Sequence, residues 1–166
     1  MDYKTASQYW INKDKDSVKM KRDELFCFIE EFLKNHNTMA LATCHDNSVR
    51  CTPIEYNYYD GNFYLFSEGG QKFSNLEANK NVSASIFEAY TGFQSIHSIQ
   101  ITGTIEVIDP DSDEFAKVCT KKGLNMDALK KMNVPFHLLK LAPSKYEILD
   151  STLKKLGYSN RQTYEF

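Results

Sequence analysis

Residues 50–72 read Arg-Cys-Thr-Pro-Ile-Glu-Tyr-Asn-Tyr-Tyr-Asp-Gly-Asn-Phe-Tyr-Leu-Phe-Ser-Glu-Gly-Gly-Gln-Lys. Asp60-Gly61 between two aromatic, alternating runs is the signature of a two-residue hairpin turn. The stretch therefore predicts two strands, 49–59 and 62–67, followed by a glycine-softened loop that opens a helix over 71–79. Along the first strand, Arg50, Thr52, Ile54, Tyr56 and Tyr58 share one face, because side chains alternate. Pro53 cannot donate to a ladder, which places this strand at an edge or a bulge. Pairing through the Asp60-Gly61 turn brings Arg50 to the same end as Ser67–Lys72. Two cations, the Thr52 and Ser67 hydroxyls and free backbone N–H groups then converge. Arg offers a planar fork and Lys a point charge beside a helix start, so the expected occupant is a phosphate.

The strands on either side extend the same pattern. Residues 38–44 predict a buried strand, closed by a polar turn at His45–Ser48. Residues 82–89 predict another. Residues 97–108 alternate most cleanly, with Ile99, Ile101, Gly103, Ile105 and Val107 on one face and Gln100, Thr102, Thr104 and Glu106 on the other. A last strand is expected within 136–150, interrupted near Pro143. Helices are expected at 17–35, with Ser17 or Asp23 as N-cap, at 111–122, capped by Asp111 or Ser112 and stopped by Gly123, and at 126–132. Leu25, Phe26, Ile29, Phe32 and Leu33 form the core-facing stripe of the first. Six strands with short helices between them predict a mainly β domain over 17–150, an antiparallel barrel with peripheral helices. Residues 1–16 are read as a solvated arm and 151–166 as a polar tail, mobile at its end.

Composition narrows the function. The 166 residues carry 42% hydrophobic and 13% aromatic side chains, which suits one globular domain with a sizeable core. A formal charge of -2 supplies no global attraction for nucleic acid or anionic membrane, so an anion site must be local. No apolar run is long enough to span a bilayer, and no signal-peptide core opens the chain. A cytoplasmic location is the default expectation. Cys27, Cys44, Cys51 and Cys119 show no CxxC spacing and are expected to be free thiols, with Cys44 and Cys51 as possible cross-strand neighbours. His36, His45, His97 and His137 lack metal spacing. Cys44-His45, adjacent on a strand, point apart and do not make a nucleophile pair. His97 reads as a hydrogen-bonded structural residue.

Met39-Ala-Leu-Ala-Thr43, Arg50-Cys-Thr-Pro53, Asp60-Gly-Asn-Phe-Tyr-Leu-Phe-Ser67, Gln71-Lys72, Asn75-Leu76, Asn81-Val-Ser-Ala-Ser85 and Ile101-Thr-Gly-Thr-Ile-Glu106, in that order and spacing, resemble the pyridoxamine 5′-phosphate oxidase-like family. The likeness covers about residues 24–109 and continues more weakly to Asp150. It implies a six-stranded antiparallel split β-barrel, a homodimer, and FMN bound at the subunit interface. It further implies that Arg50, Cys51, Thr52, Pro53 and Ile54, with Glu55 at the strand end, then Phe66, Ser67, Gln71 and Lys72, surround the flavin, Lys72 taking the phosphate. Ser98 and Gln100, beside His97, occupy the stretch that reaches the cofactor from the other subunit. The implied activity is that of an FMN-dependent oxidoreductase with a small-molecule substrate or electron donor. The alternative is a non-catalytic flavin or haem binder. Two departures point away from oxidation of pyridoxamine phosphate itself. The chain has no Trp after Trp10 to accompany Arg161 in the C-terminal segment, and Glu55 stands where those oxidases tend to carry a lysine.

Overall fold

A computed structural model describes residues 2–131 and 135–166. Its centre is one antiparallel sheet of eight strands: β1 (Thr38–His45), β2 (Ser48–Glu55), β3 (Asn57–Tyr59), β4 (Asn62–Ser67), β5 (Asn81–Phe87), β6 (His97–Ile108), β7 (His137–Asp150) and β8 (Arg161–Glu165). The order is β2-β1-β5-β6-β7-β4-β3, with β8 pairing β7 on a side branch. Among the described residues five helices accompany it: α1 (Tyr3–Lys15), α2 (Arg22–Lys34), α3 (Lys72–Ala78), α4 (Asp113–Lys122) and α5 (Met126–Lys130), with a 3-10 helix at Ser151–Leu156. The expected antiparallel split barrel is present, with eight strands where six were expected.

One added strand comes from a break inside 49–59. Tyr56 leaves the ladder: its N–H donates to Asn37 O at 2.7 Å. Its hydroxyl donates to Leu33 O at 2.8 Å. The chain therefore changes partners at this residue. Before it, β2 pairs only with β1, Arg50 opposite Thr43. After it, β3 pairs with β4 across the turn, Tyr59 opposite Asn62. Asp60 and Gly61 have φ of 51° and 77°, the left-handed pair that a tight hairpin turn requires. Pro53 lies on β2, at one end of the sheet order, where its missing N–H breaks no ladder.

The second added strand is β8. The stretch after Asp150, expected as a tail, instead buries Leu153 and Gln162 and pairs Arg161–Glu165 with β7. The arm before α2 contains the helix α1, which buries none of its side chains.

Inside the barrel, Leu41, Phe63, Leu65, Ile99, Ile101, Leu139, Leu141 and Tyr146 form the core, closed at one end by Leu25, Ile29 and Leu33 of α2. Neither Ser17 nor Asp23 caps α2; the cap position is Lys21, without a side-chain bond, and Asp23 sits in the first turn where its charge suits the helix dipole. A smaller cluster outside the barrel packs Phe115, Val118 and Cys119 of α4 on Tyr64, Ile108 and Leu138. That cluster alters the end of β6: Val107, expected inward, is 45% exposed, while Ile108 is buried under α4. Ser112 caps α4, its Oγ accepting from Phe115 N at 3.2 Å, and Gly123 ends it at φ 75°. The end of α5 expected at Met132 lies outside the described residues.

β7 runs unbroken through Pro143. The irregularity falls as a bulge, where Thr102 opposes Lys145 and Gly103 opposes Pro143. A Cβ on Gly103 would stand 2.3 Å from Ala142 O, so this crossing needs a residue without one. All four cysteines are free. Cys44 faces Val49 and Cys51 faces Ala42, so the two thiols are diagonal neighbours across the strands rather than directly opposite.

Candidate functional site

The barrel is split between β2 and β4, which share no ladder. Thr52 and Ile54 line the inner face of β2, and the loop after β4 turns across its mouth. Gly69 and Gly70, at φ of 122° and 99°, carry the chain through a backbone path that side chains rarely adopt. It then enters α3, which is tied to β1 by the buried Asn75, whose Nδ2 donates to Thr43 O and Oγ1, each at 3.2 Å. That tie sets Gln71, Ser74 and Asn75, one helical face, against Ser48, Val49 and Arg50 around a cavity of about 320 Å³.

Arg50 and Lys72 do converge, though not by direct pairing of their strands. Arg50 Nη1 donates to Gln71 Oε1 at 2.8 Å. Lys72, only 7% exposed, donates through Nζ to Gly69 O at 2.6 Å. Its ammonium is held below the usual lysine value, first by burial and then by the nearby Arg50 guanidinium. Among the described residues, no carboxylate forms an ion pair with either cation. Buried positive charge is costly unless compensated. Arg50 lines the cavity and Lys72 lies buried near it without lining it; with only carbonyl and amide oxygens as acceptors among the described residues, this pair of cations is short of an anion.

The hydroxyls divide. Thr52 Oγ1 is buried with no hydrogen-bond partner, an orphan on the face of β2 that carries Arg50. Ser67 is engaged locally: its Oγ donates to Gly69 O at 3.3 Å and accepts from Gly69 N at 3.2 Å. The supply of free N–H groups is smaller than expected, since Phe73 N and Ser74 N also bond within the loop, to Gly70 O and Gln71 O.

Other expected site residues lie elsewhere. Cys51 and Pro53 point to the outer, exposed face of β2. Ser98 and Gln100 lie on β6, separated from β2 by β1 and β5, and do not line the Arg50 cleft of their own chain. They alternate with the buried Ile99 and Ile101, so they too face outward. His97 bonds to Asp150 at 3.0 Å, the structural role expected of it. Phe66 stacks on Phe136 at 5.0 Å. Glu55 is paired with Lys122 of α4 at 2.8 Å. The same ammonium contacts Asn57 and lies 5.8 Å from the Phe66 ring. Sequence reasoning missed Ser74 and Asn75 as cavity-lining residues, although both were available as positions i+3 and i+4 from Gln71. Among the described residues, no group of three His, Cys, Asp or Glu is placed to hold a metal, and no helix is long and apolar enough to cross a membrane.

The Arg50 cavity, with the buried Lys72 near it and a glycine loop that has open space beside it, has the positive charge that the phosphate end of a nucleotide cofactor would need.

Comparison with known proteins gives this geometry a context. No curated protein matches the chain. Solved structures do. A FAD-binding protein from Mesorhizobium loti is 23% identical, with a TM-score of 0.55, over 74% of this chain and 89% of its own. HutZ, the haem storage protein from Vibrio cholerae, is 20% identical, with a TM-score of 0.57, over 75% and 91%. ChuZ from Campylobacter jejuni is 19% identical, with a TM-score of 0.62, over 90% of this chain and 65% of its own. At such identities they attest the fold. The profile of the family described as pyridoxamine 5′-phosphate oxidase matches residues 28–150, from the middle of α2 to the end of β7. The chain therefore belongs to the pyridoxamine 5′-phosphate oxidase family.

Proposed function

We propose that this protein binds FMN in the Arg50–Lys72 cleft and acts as an FMN-dependent oxidoreductase on a small molecule. The observation that carries the reading is the pair of cations without a carboxylate partner, one of them buried. Arg50 and Lys72 hold the phosphate, the Thr52 hydroxyl donates to it or to the ribityl chain, and Gln71 orients the guanidinium. Ile54 and Phe66 exclude water from the ring side of the split. When bound, the flavin supplies hydride or single-electron transfer, so the protein needs no nucleophile of its own.

The functional unit in this reading is a homodimer. The outer face of β2, β1, β5 and β6 leaves Val49 and Phe87 at 74% and 62% exposure. Docking of a second copy there covers Cys51 and Pro53 and lets the partner's Ser98 and Gln100 complete the flavin site. Four free thiols suit a reducing, cytoplasmic setting.

The visible spectrum of the purified protein tests the reading. Flavin bands, retained or restored by FMN, are expected. A Soret band instead supports the second reading, a haem binder, for which the fold shared with HutZ speaks. Arg50→Ala with Lys72→Ala should weaken FMN binding by about 100-fold or more, since charge-assisted hydrogen bonds contribute roughly 1.5–3 kcal/mol each. Unchanged affinity in that double variant removes the site assignment. Anaerobic reduction by NADH or NADPH separates a catalyst from a binder, and light scattering checks the dimer.

A further inference from the structure

A second cleft, of about 240 Å³, opens between the C-terminal half of α2 and the strand ends that carry Glu88, His97 and Asp150. It holds two imidazoles whose ring protons are fixed by their partners. His36 Nδ1 lies 2.7 Å from Phe32 O. A carbonyl only accepts, so Nδ1 carries a proton, and in the neutral ring Nε2 is then the acceptor. His97 Nδ1 lies 3.0 Å from Asp150 Oδ2. The Asp150 carboxylate is 3% exposed, and its other oxygen accepts from Thr152 N at 2.8 Å and Thr152 Oγ1 at 2.5 Å. That anchoring fixes Nδ1 of His97 as a donor, and in the neutral ring leaves its Nε2 as an acceptor too.

The remaining polar walls have the same character. Glu31 and Glu88 are carboxylates, and no Lys or Arg lines the cleft among the described residues. With Asp150, three carboxylates face it, a formal charge of -3 with the imidazoles counted neutral. His36 Nε2 stands 3.7 Å from Glu88 Oε1, too far for a direct hydrogen bond but a span that one interposed N–H donor bridges. The floor is aromatic: the Phe32 and His36 rings stack at 4.1 Å, and Phe28 lies beside them. Acceptors, negative charge and ring faces together recognise a donor-rich cation with a flat apolar part.

We propose that this cleft binds a small organic cation, an aromatic or aliphatic ammonium, held by Glu88, Glu31 and the two Nε2 atoms against the Phe28–Phe32 wall. It lies on other elements than the Arg50 cleft and has the opposite polarity, so the protein carries an anion site and a cation site. A transition-metal ion is the competing occupant for two imidazoles, but among the described residues no three of the His, Asp and Glu side chains are placed to hold one.

Benzylamine is the probe, titrated at pH 8, where imidazoles are ordinarily unprotonated and the amine is charged, with the histidine side-chain nitrogen resonances followed by NMR. Saturable shifts of His36 and His97 are expected, with benzyl alcohol and benzoate at least tenfold weaker. The chain carrying Glu31→Gln and Glu88→Gln, both solvent-accessible positions, should keep its fold and any flavin binding but lose at least tenfold in affinity for benzylamine. Equal affinity for benzyl alcohol, an unaffected double variant, or shifts produced by zinc and not by benzylamine would each overturn the proposal.

Discussion

Three tyrosines of the barrel interior show how one hydroxyl is worth different amounts in different surroundings. Burial pushes the phenols of Tyr56 and Tyr146 well above the usual tyrosine value. Tyr56 has an acceptor, Leu33 O at 2.8 Å, and through it holds β2 and β3 to the end of α2. The Tyr146 and Tyr58 hydroxyls lie near one another with Glu30 beside Tyr58, yet neither meets hydrogen-bond geometry. Tyr56→Phe should therefore cost about 1 kcal/mol, while Tyr146→Phe should cost less than about 0.5 kcal/mol or stabilise. Urea denaturation of the two variants checks the ranking, and a larger loss for Tyr146→Phe would contradict it.

At the level of the elements, local chemistry was readable and partner choice was not. Asp60-Gly61 announces its turn because the backbone angles it needs are a property of those two residues. The stop at Gly123 was legible for the same reason, and the N-cap was narrowed to Asp111 or Ser112, of which Ser112 holds it. The break at Tyr56 was hidden, since it is decided by Asn37 and Leu33, residues that the turn of α2 into β1 brings alongside. Arg50 and Lys72 were expected together through a continuous hairpin; they meet because Asn75 pins α3 across β1. β8 escaped notice because an edge strand of Arg-Gln-Thr-Tyr-Glu has little apolar content to reveal it. The glycine of β6 makes a further prediction here. Gly103→Ala puts a Cβ 2.3 Å from Ala142 O and 3.0 Å from Pro143 Cα, backbone atoms that cannot rotate aside. A loss of about 3 kcal/mol or more in chemical denaturation is expected, at the upper end for overpacking.

Across the whole molecule, stability resides in the barrel and its α2 end cap, not in the N-terminal helix. α1 buries no residue, and its contacts include Trp10 against the Arg161 guanidinium at 4.3 Å. Removal of residues 1–16 should shift stability by less than about 1 kcal/mol, as exposed segments do. A melting temperature lowered by many degrees would mean that α1 packs on more than its own chain.

The like charges at Arg50 and Lys72 have a consequence for how the protein behaves in a test tube. Any small oxyanion that enters between them relieves a repulsion the bare chain cannot relieve, so it binds the native form in preference to the unfolded one. Inorganic phosphate should therefore raise the midpoint of thermal denaturation above that in an amine buffer matched for ionic strength, and the Arg50→Ala, Lys72→Ala chain should be indifferent to the exchange. The composition of the medium then becomes, in effect, a dial on how firmly the native chain holds together.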